Sequence, residues 1–382
     1  MSREKKLASG EVSGLAVGSA AIRVDASGHI VAILQGLGMS LAIASYQASV
    51  VILASATADG LSVLPRSFDK PMGLAASGDR LAIAARNEAL ILAPSGALAP
   101  GYPRAPNAYG TLWLPRSLFY TGEIDLHDPA FANGALFAVA TRFSCIARID
   151  DGASFTPVWK PPFVTDLVAE DRCHLNGMAL DEAGAPRFVT ALGATNMAEG
   201  WRAGRAAGGV LVSVPDGRVV LDGLCMPHSP RLIGGVLHLL NSGAGEVLRV
   251  DPATGTAQVL ARLPGYARGL VARGDFLFVG LSRLRDRRGA GDAPLPVERG
   301  RESLICGVVA LDRHSGRVLG RIDLVGGVDE VSDLALLPGT GRHGILNHAD
   351  PAHRLALALP GQGFWAAAPD PSRITSLPGA SA

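Results

Sequence analysis

The chain has 382 residues, of which 48% are hydrophobic and 18% charged, with a formal net charge of +1. That near balance leaves no clustered basic face of the kind nucleic acid needs, so nucleic acid is excluded as a partner. Glycine occurs 47 times, proline 25 times and aromatics make up only 5%, which points to many turns linking short strands. The opening "MSREKKLASGEVSGLAVG" carries charges without a continuous apolar run, so no signal peptide is read there. The most apolar stretch, "SLAIASYQASVVILASATA" from Ser40, is broken by Ser, Tyr and Gln and alternates like a pair of strands. A membrane span needs about 20 apolar residues in a row, so none is expected. Four cysteines, Cys145, Cys173, Cys225 and Cys306, are too few for a disulfide framework in a chain this long. Reduced thiols in a cytoplasm are expected.

In chain order, one pattern recurs: a polar or small residue, a short apolar run, a turn containing Gly, and a second apolar run. It appears as "PMGLAASGDRLAIAAR" from Pro71, "HDPAFANGALFAVAT" from His127 and "NGMALDEAGAPRFVTALG" from Asn176. It returns as "HSPRLIGGVLHLLNSG" from His228 and "RGLVARGDFLFVGLS" from Arg268, and the fragment "SDLALLPG" from Ser332 closes the series. Each full copy reads as a β-hairpin. With Met72, His127, Asn176, His228, Arg268 and Asp333 as markers, the spacings are 55, 49, 52, 40 and 65 residues. Such periods match four-stranded propeller blades of roughly 40–50 residues with insertions. Second hairpins follow at Gly208, Gly245 and Cys306, with D-G, A-T-G and H-S-G turns.

The last blade lacks outer strands near the C-terminus, and the segment "SLAIASYQASVVILASATADGLSVLPRSF" offers the missing three. The expected fold is therefore all-β: a six-bladed β-propeller closed by N- and C-terminal strands in one blade. It would span residues 40–360, after an N-terminal extension at 1–39 and before a disordered tail at 361–382. No β-α-β alternation supports a doubly wound sheet.

In propellers, inner strands start at one rim of the central channel, and the loops between second and third strands reach the same rim. The unusual residues fall there. His127 and Asp128 open blade two, His174 and Asn176 blade three, His228 and Arg231 blade four, Arg268 blade five, and Glu330 and Asp333 blade six. Long loops gather on that face too, among them "GATNMAEGWRAGRAAGG" and "SRLRDRRGAGDAPLPVERGRES".

Two chemistries suit these residue types. His127, His174 and His228, completed by Asp333, are a ligand set for a divalent transition metal such as Zn, Fe, Cu or Mn. Alternatively the histidines act as general acid or base, with Asp128 or Glu170 orienting a ring. Arg231 and Arg268 would clamp a carboxylate or phosphate, Asn176 would face the channel, and Trp201 would cover it. The expected partner is a small-molecule or peptide ligand, handled by an enzyme or by a non-catalytic binding propeller. Against these stands the plain structural role of polar residues at strand starts, which tie exposed backbone or bridge blades. Cys173 and Cys225 read as small core residues, and Arg283, Arg285, Arg287 and Arg288 as a solvated loop.

The motifs "TGEIDLHD", "FSC", "PVWKPPF", "EDRCHLNGMAL", "PHSPR", "PGYARGL", "VGLS" and "CGV", in that order, resemble a bacterial conserved-hypothetical family of unknown function. The resemblance runs from Ser40 to Gly339 and implies a propeller without an assigned reaction. Ser332 stands where that pattern has a tyrosine. More distantly, "LNGMALDEAG" is similar to the inner-strand turn of gluconolactonase and strictosidine-synthase-like propellers. That resemblance implies a divalent-cation role for Asn176 and Asp333, from which the histidines depart because imidazole suits a hard cation poorly.

Overall fold

The computed structural model describes residues 22–283, 294–299 and 303–366. Arg285, Arg287 and Arg288 lie outside the described residues, as do positions 367–382 of the expected tail. Six sheets, antiparallel apart from one added edge strand, surround a central channel, which is the expected six-bladed propeller. The inner strands, for blades one to six, are Gly73–Ser77, Leu126–Ala132, Leu175–Leu180, Pro227–Ile233, Tyr266–Arg273 and Asp333–Pro338. Blade six closes the wheel as the sequence implies: Asp333–Pro338 pairs with Met39–Ser45, and Val50–Thr57 and Gly60–Ser67 lie outside it.

Second and third strands carry near-continuous apolar runs because neighbouring blades cover both of their faces. Val50–Thr57 is buried along its length except at its last residue, whereas the outer strand Thr256–Arg262 has no buried residue. The core is accordingly a ring of inter-blade seams. Leu74, Leu81 and Ile83 meet Val51 and Leu53 between blades one and six, and Leu126 and Ala138 meet Ala82 and Ala84 between one and two. The turns have the chemistry expected of hairpins. Asn133 and Gly134, at φ 50° and 80°, form the double positive-φ turn that joins the first two strands of blade two.

Two blades are wider than the repeat predicts. Arg23–Gly28 adds a fifth strand to blade five, and His343–Ile345 adds a parallel one to blade one. Helix Ile30–Leu37 buries Ile30 and Leu34 on the seam of blades five and six. Residues 23–37 of the expected extension are thus part of the wheel, and Gln362–Trp365 of the expected tail pairs with Ala356–Leu359.

The starts of the inner strands alternate around the axis. In blades two, four and six, Asp128, Ser229 and Asp333 accept a backbone N–H from the next blade: Met178 at 2.8 Å, Gly269 at 3.1 Å and Leu74 at 2.8 Å. In blades one, three and five the matching residue is Gly73, Gly177 or Gly269, pressed against the following blade. A Cβ on Gly73 would lie 2.3 Å from Pro129 Cδ and 3.1 Å from the Asp128 nitrogen, neither of which can yield. Gly73→Ala is therefore expected to destabilise the protein by about 1–3 kcal/mol, read as a lower urea midpoint with an unchanged slope.

Candidate functional site

The rim histidines come together across blades two to four. The rings of His127 and His174 meet edge-on with centroids 5.7 Å apart. His228 reaches the same sector through Asn176, whose Nδ2 lies 3.3 Å from His228 Nε2. Bulges at the starts of these inner strands re-aim the side chains toward the rim.

Hydrogen-bond partners fix where each ring carries its proton. His174 Nδ1 lies 2.8 Å from Asp171 Oδ2, and a carboxylate only accepts, so Nδ1 donates. His228 Nδ1 donates to the Met226 carbonyl at 2.9 Å, which leaves its Nε2 to accept from Asn176; Asn176 Oδ1 in turn accepts the Thr190 hydroxyl at 2.8 Å. His127 Nδ1 lies 2.9 Å from the Asp125 carbonyl and 2.8 Å from Thr141 Oγ1. The Thr141 hydroxyl proton goes to the Leu175 carbonyl at 2.6 Å, so His127 too is protonated on Nδ1. All three imidazoles share one tautomer, imposed by acceptors at their bases.

His174 differs from the other two in its surroundings. Its partner is a carboxylate, and Asp171 Oδ2 also accepts the Trp201 indole N–H at 3.0 Å. The other oxygen, Asp171 Oδ1, is buried with no hydrogen-bond partner. The Trp201 ring packs on the His174 ring at 4.3 Å and is buried with Leu192, Cys225, Met226 and Tyr266. Instead of covering the channel, Trp201 is buried, anchors the loop and packs on the histidine, with the Arg202 guanidinium 4.5 Å from its ring centre. The His174 side chain is 17% exposed, and its Nε2 makes no hydrogen bond among the described residues.

The carboxylate that orients a ring is therefore Asp171, in place of Asp128 or Glu170. Glu170 pairs with Arg172 at 2.9 Å. Asp128 lies below the rim, where Arg231 grips it through two nitrogens at 2.5 and 2.9 Å. Arg231 also donates to the carbonyls of Leu270, Met178 and Pro230, so it ties blades two to five across the channel. Those contacts engage the donors that an anion clamp would use. Asp333, on the same axis, accepts Leu74 N–H at one oxygen and Leu334 N–H at the other. Burial first, and the nearby Asp128 carboxylate second, push Asp333 up to about 7 against the pull of Arg231.

Arg268 is buried beside blade one, its guanidinium 3.3 Å from Met72 Sδ and 5.6 Å from the Tyr46 ring centre. Ser332 donates its hydroxyl to the Pro71 carbonyl at 2.7 Å, which bridges blades six and one. Arg283 pairs with Asp329 at 2.9 Å. Among the described residues, no three of His, Cys, Asp and Glu form a group able to hold a metal ion. Asp333 has both oxygens engaged by backbone N–H groups, and the Nε2 lone pair of His228 faces Asn176. All four cysteines are free and buried; burial pushes Cys145, Cys173 and Cys306 up to about 12 and Cys225 up to about 11, so none is a thiolate nucleophile. No helix among the described residues is long and apolar enough to cross a membrane.

Among solved structures, a protein of unknown function from Bacteroides caccae gives a TM-score of 0.47 at 9% identity, covering 78% of this chain and 99% of that one. A chain of a nidogen/laminin complex gives 0.45 at 12% identity, covering 80% and 100%. A catalytically inactive virginiamycin B lyase from Staphylococcus aureus, with quinupristin, gives 0.38 at 11% identity, covering 80% and 100%. None of the three bears on what this chain binds or does. No curated protein matches it. The family model described as "Domain of unknown function (DUF4915)" matches residues 28–346, in line with the ordered motifs, and the chain belongs to that family.

Proposed function

We propose that the rim of blades two to four is a general acid–base site in which His174 is the proton-transferring group and Asp171 its orienting partner. The observation that carries this reading is the 2.8 Å bond from His174 Nδ1 to Asp171, which leaves Nε2 unpaired at a partly exposed surface. An imidazole held this way presents a lone pair to an incoming acidic proton, and the carboxylate stabilises the imidazolium that forms. Trp201 fixes both partners, through its N–H to Asp171 and its ring on His174. His127 stands against the ring edge, and the Thr190–Asn176–His228 chain supplies a rigid polar wall beside it.

Two measurements test the proposal. Long-range 1H–15N NMR at neutral pH is expected to show His174 as the Nδ1–H tautomer, and Asp171→Asn to change that signal; an Nε2–H tautomer in the wild type would refute the arrangement. For chemistry, a panel of small carboxylic esters, lactones and amino-acid derivatives is expected to contain a compound turned over by the protein. His174→Ala should lower that rate by about 10²–10⁴-fold, with KM little changed. Equal rates in wild type and variant would remove His174 from the reaction and leave a rim that only binds.

A further inference from the structure

Four successive inner strands are entered through a residue in the left-handed backbone region: Lys70 at φ 48°, Asp125 at 55°, His174 at 49° and Met226 at 52°. Each stands two positions ahead of the rim residue of its blade: Met72, His127, Asn176 or His228. Glycine adopts this conformation without strain, whereas a residue with a Cβ does not. Strained positions held by a rigid scaffold concentrate where a side chain must be aimed. His174 is the proposed base, and Met226 is buried under Trp201. Lys70 and Asp125 remain to be explained, and both line one pocket of about 110 Å³ between blades one and two.

The charges on that pocket are mixed, and most pair with no group of the protein: Glu123 and Arg142 are exposed, Lys70 and Asp125 half-buried. Arg86 is engaged by Asp69 through hydrogen bonds of 2.8 and 3.1 Å. Among the described residues, no hydrogen bond or ion pair engages the side chains of Lys70, Arg142, Asp125 or Glu123. Glu123 acts on Arg86 only through space. Two cations and two carboxylates thus share one small pocket without pairing. A simple anion entering it would gain from Lys70 and Arg142 and lose to Asp125 and Glu123, and a simple cation the reverse. A ligand bearing both charges can answer both pairs.

Two backbone contacts link the lining of the pocket to the His174 dyad. The carbonyl of Arg142 accepts the Asp171 backbone N–H at 2.8 Å. The carbonyl of Asp125 receives the His127 Nδ1 proton at 2.9 Å, and the His127 ring abuts His174.

We infer that the pocket between blades one and two binds a compact zwitterion, with an ammonium and a carboxylate a few atoms apart as in a free α-amino acid. The ammonium faces Asp125 and Glu123, and the carboxylate faces Lys70 and Arg142. As the substrate class for His174 this rests on the acid–base reading above; as a binding site it stands on the pocket alone.

Titration calorimetry of the full chain with L-alanine, propionate and ethylamine tests it. L-Alanine is expected to bind at least about tenfold more tightly than either single-charge analogue. Asp125→Asn, which keeps a residue tolerant of positive φ, and Lys70→Asn, chosen for the same reason, are each expected to weaken L-alanine by about tenfold or more. Propionate or ethylamine binding as tightly as L-alanine would overturn the inference, as would the absence of heat from L-alanine at tens of millimolar. Because binding is read as heat without turnover, failure of this pocket and failure of the His174 base are separate results.

Discussion

Arg231→Ala is expected to destabilise the protein by about 3–5 kcal/mol, a large share of the roughly 5–15 kcal/mol that holds most folded chains together. The guanidinium lies near the axis with its side chain 23% exposed, and Asp128 beneath it is 7% exposed. Removing the arginine leaves a buried carboxylate without its counter-charge and three backbone carbonyls without their donor. Compare Arg86 and Asp69, paired at 2.8 Å but 39% and 56% exposed. Solvent screens that pair, and Arg86→Ala is expected to leave stability nearly unchanged. Replacing both buried partners, as Asp128→Asn with Arg231→Met, removes the orphaned charge and keeps an oxygen for the Met178 N–H. The double variant is therefore expected to recover most of the loss. Urea denaturation of the single and double variants checks this. A single variant as stable as wild type would show that Arg231 does not tie the blades together.

That pair also marks where the sequence stops being readable. Turn chemistry and apolar runs repeat locally, so the blades and their closure by the segment from Met39 to Ser67 could be placed from residue types alone. Arg231 and Asp128 are 103 residues apart, and nothing near either names the other. Only closure of the wheel makes them partners, so Arg231 looked like a guanidinium free for substrate. Strand Arg23–Gly28 is not legible in the sequence because it joins an outer edge without a hairpin of its own. Asp171 was visible in "EDRCHLNG", three residues before His174, yet residue type does not separate it from the adjacent Glu170. Backbone conformation does: Asp171 stands at φ 47° with a carboxylate oxygen on the His174 ring, while Glu170 turns to Arg172. Lys70 and Asp125 escaped for the same reason, since a left-handed turn ahead of a strand leaves no mark in the residues that make it.

Asp333→Asn is expected to gain stability relative to wild type as the pH rises from about 4 to about 7, because Asp333 titrates late in the folded protein. Asp333 is 3% exposed and its carboxyl feels Asp128 as well as Arg231, and its ordinary value of 3.8 is pushed up to about 7. In that window the unfolded chain has released the Asp333 proton and the folded chain still holds it. Folding therefore takes up a proton. The stabilisation from this group is complete below about pH 4 and is lost as the pH passes through about 7, with a slope approaching about 1.4 kcal/mol per pH unit. Over the whole window the effect is on the order of 4 kcal/mol. Asp333→Asn abolishes the titration while keeping one oxygen for a backbone N–H. Groups far from the axis titrate alike in both chains, so they cancel when urea-derived stabilities are compared at each pH. Wild type is expected to lose ground to the variant steadily from pH 4 to 7. Parallel curves would mean that Arg231 compensates both carboxylates at once, and that the axis carries two ionised acids around one guanidinium. The variant also separates charge from geometry: its one oxygen can serve the Leu74 or the Leu334 N–H but not both, so a uniform loss at every pH measures the lost backbone hydrogen bond, and only the sloping part belongs to the proton.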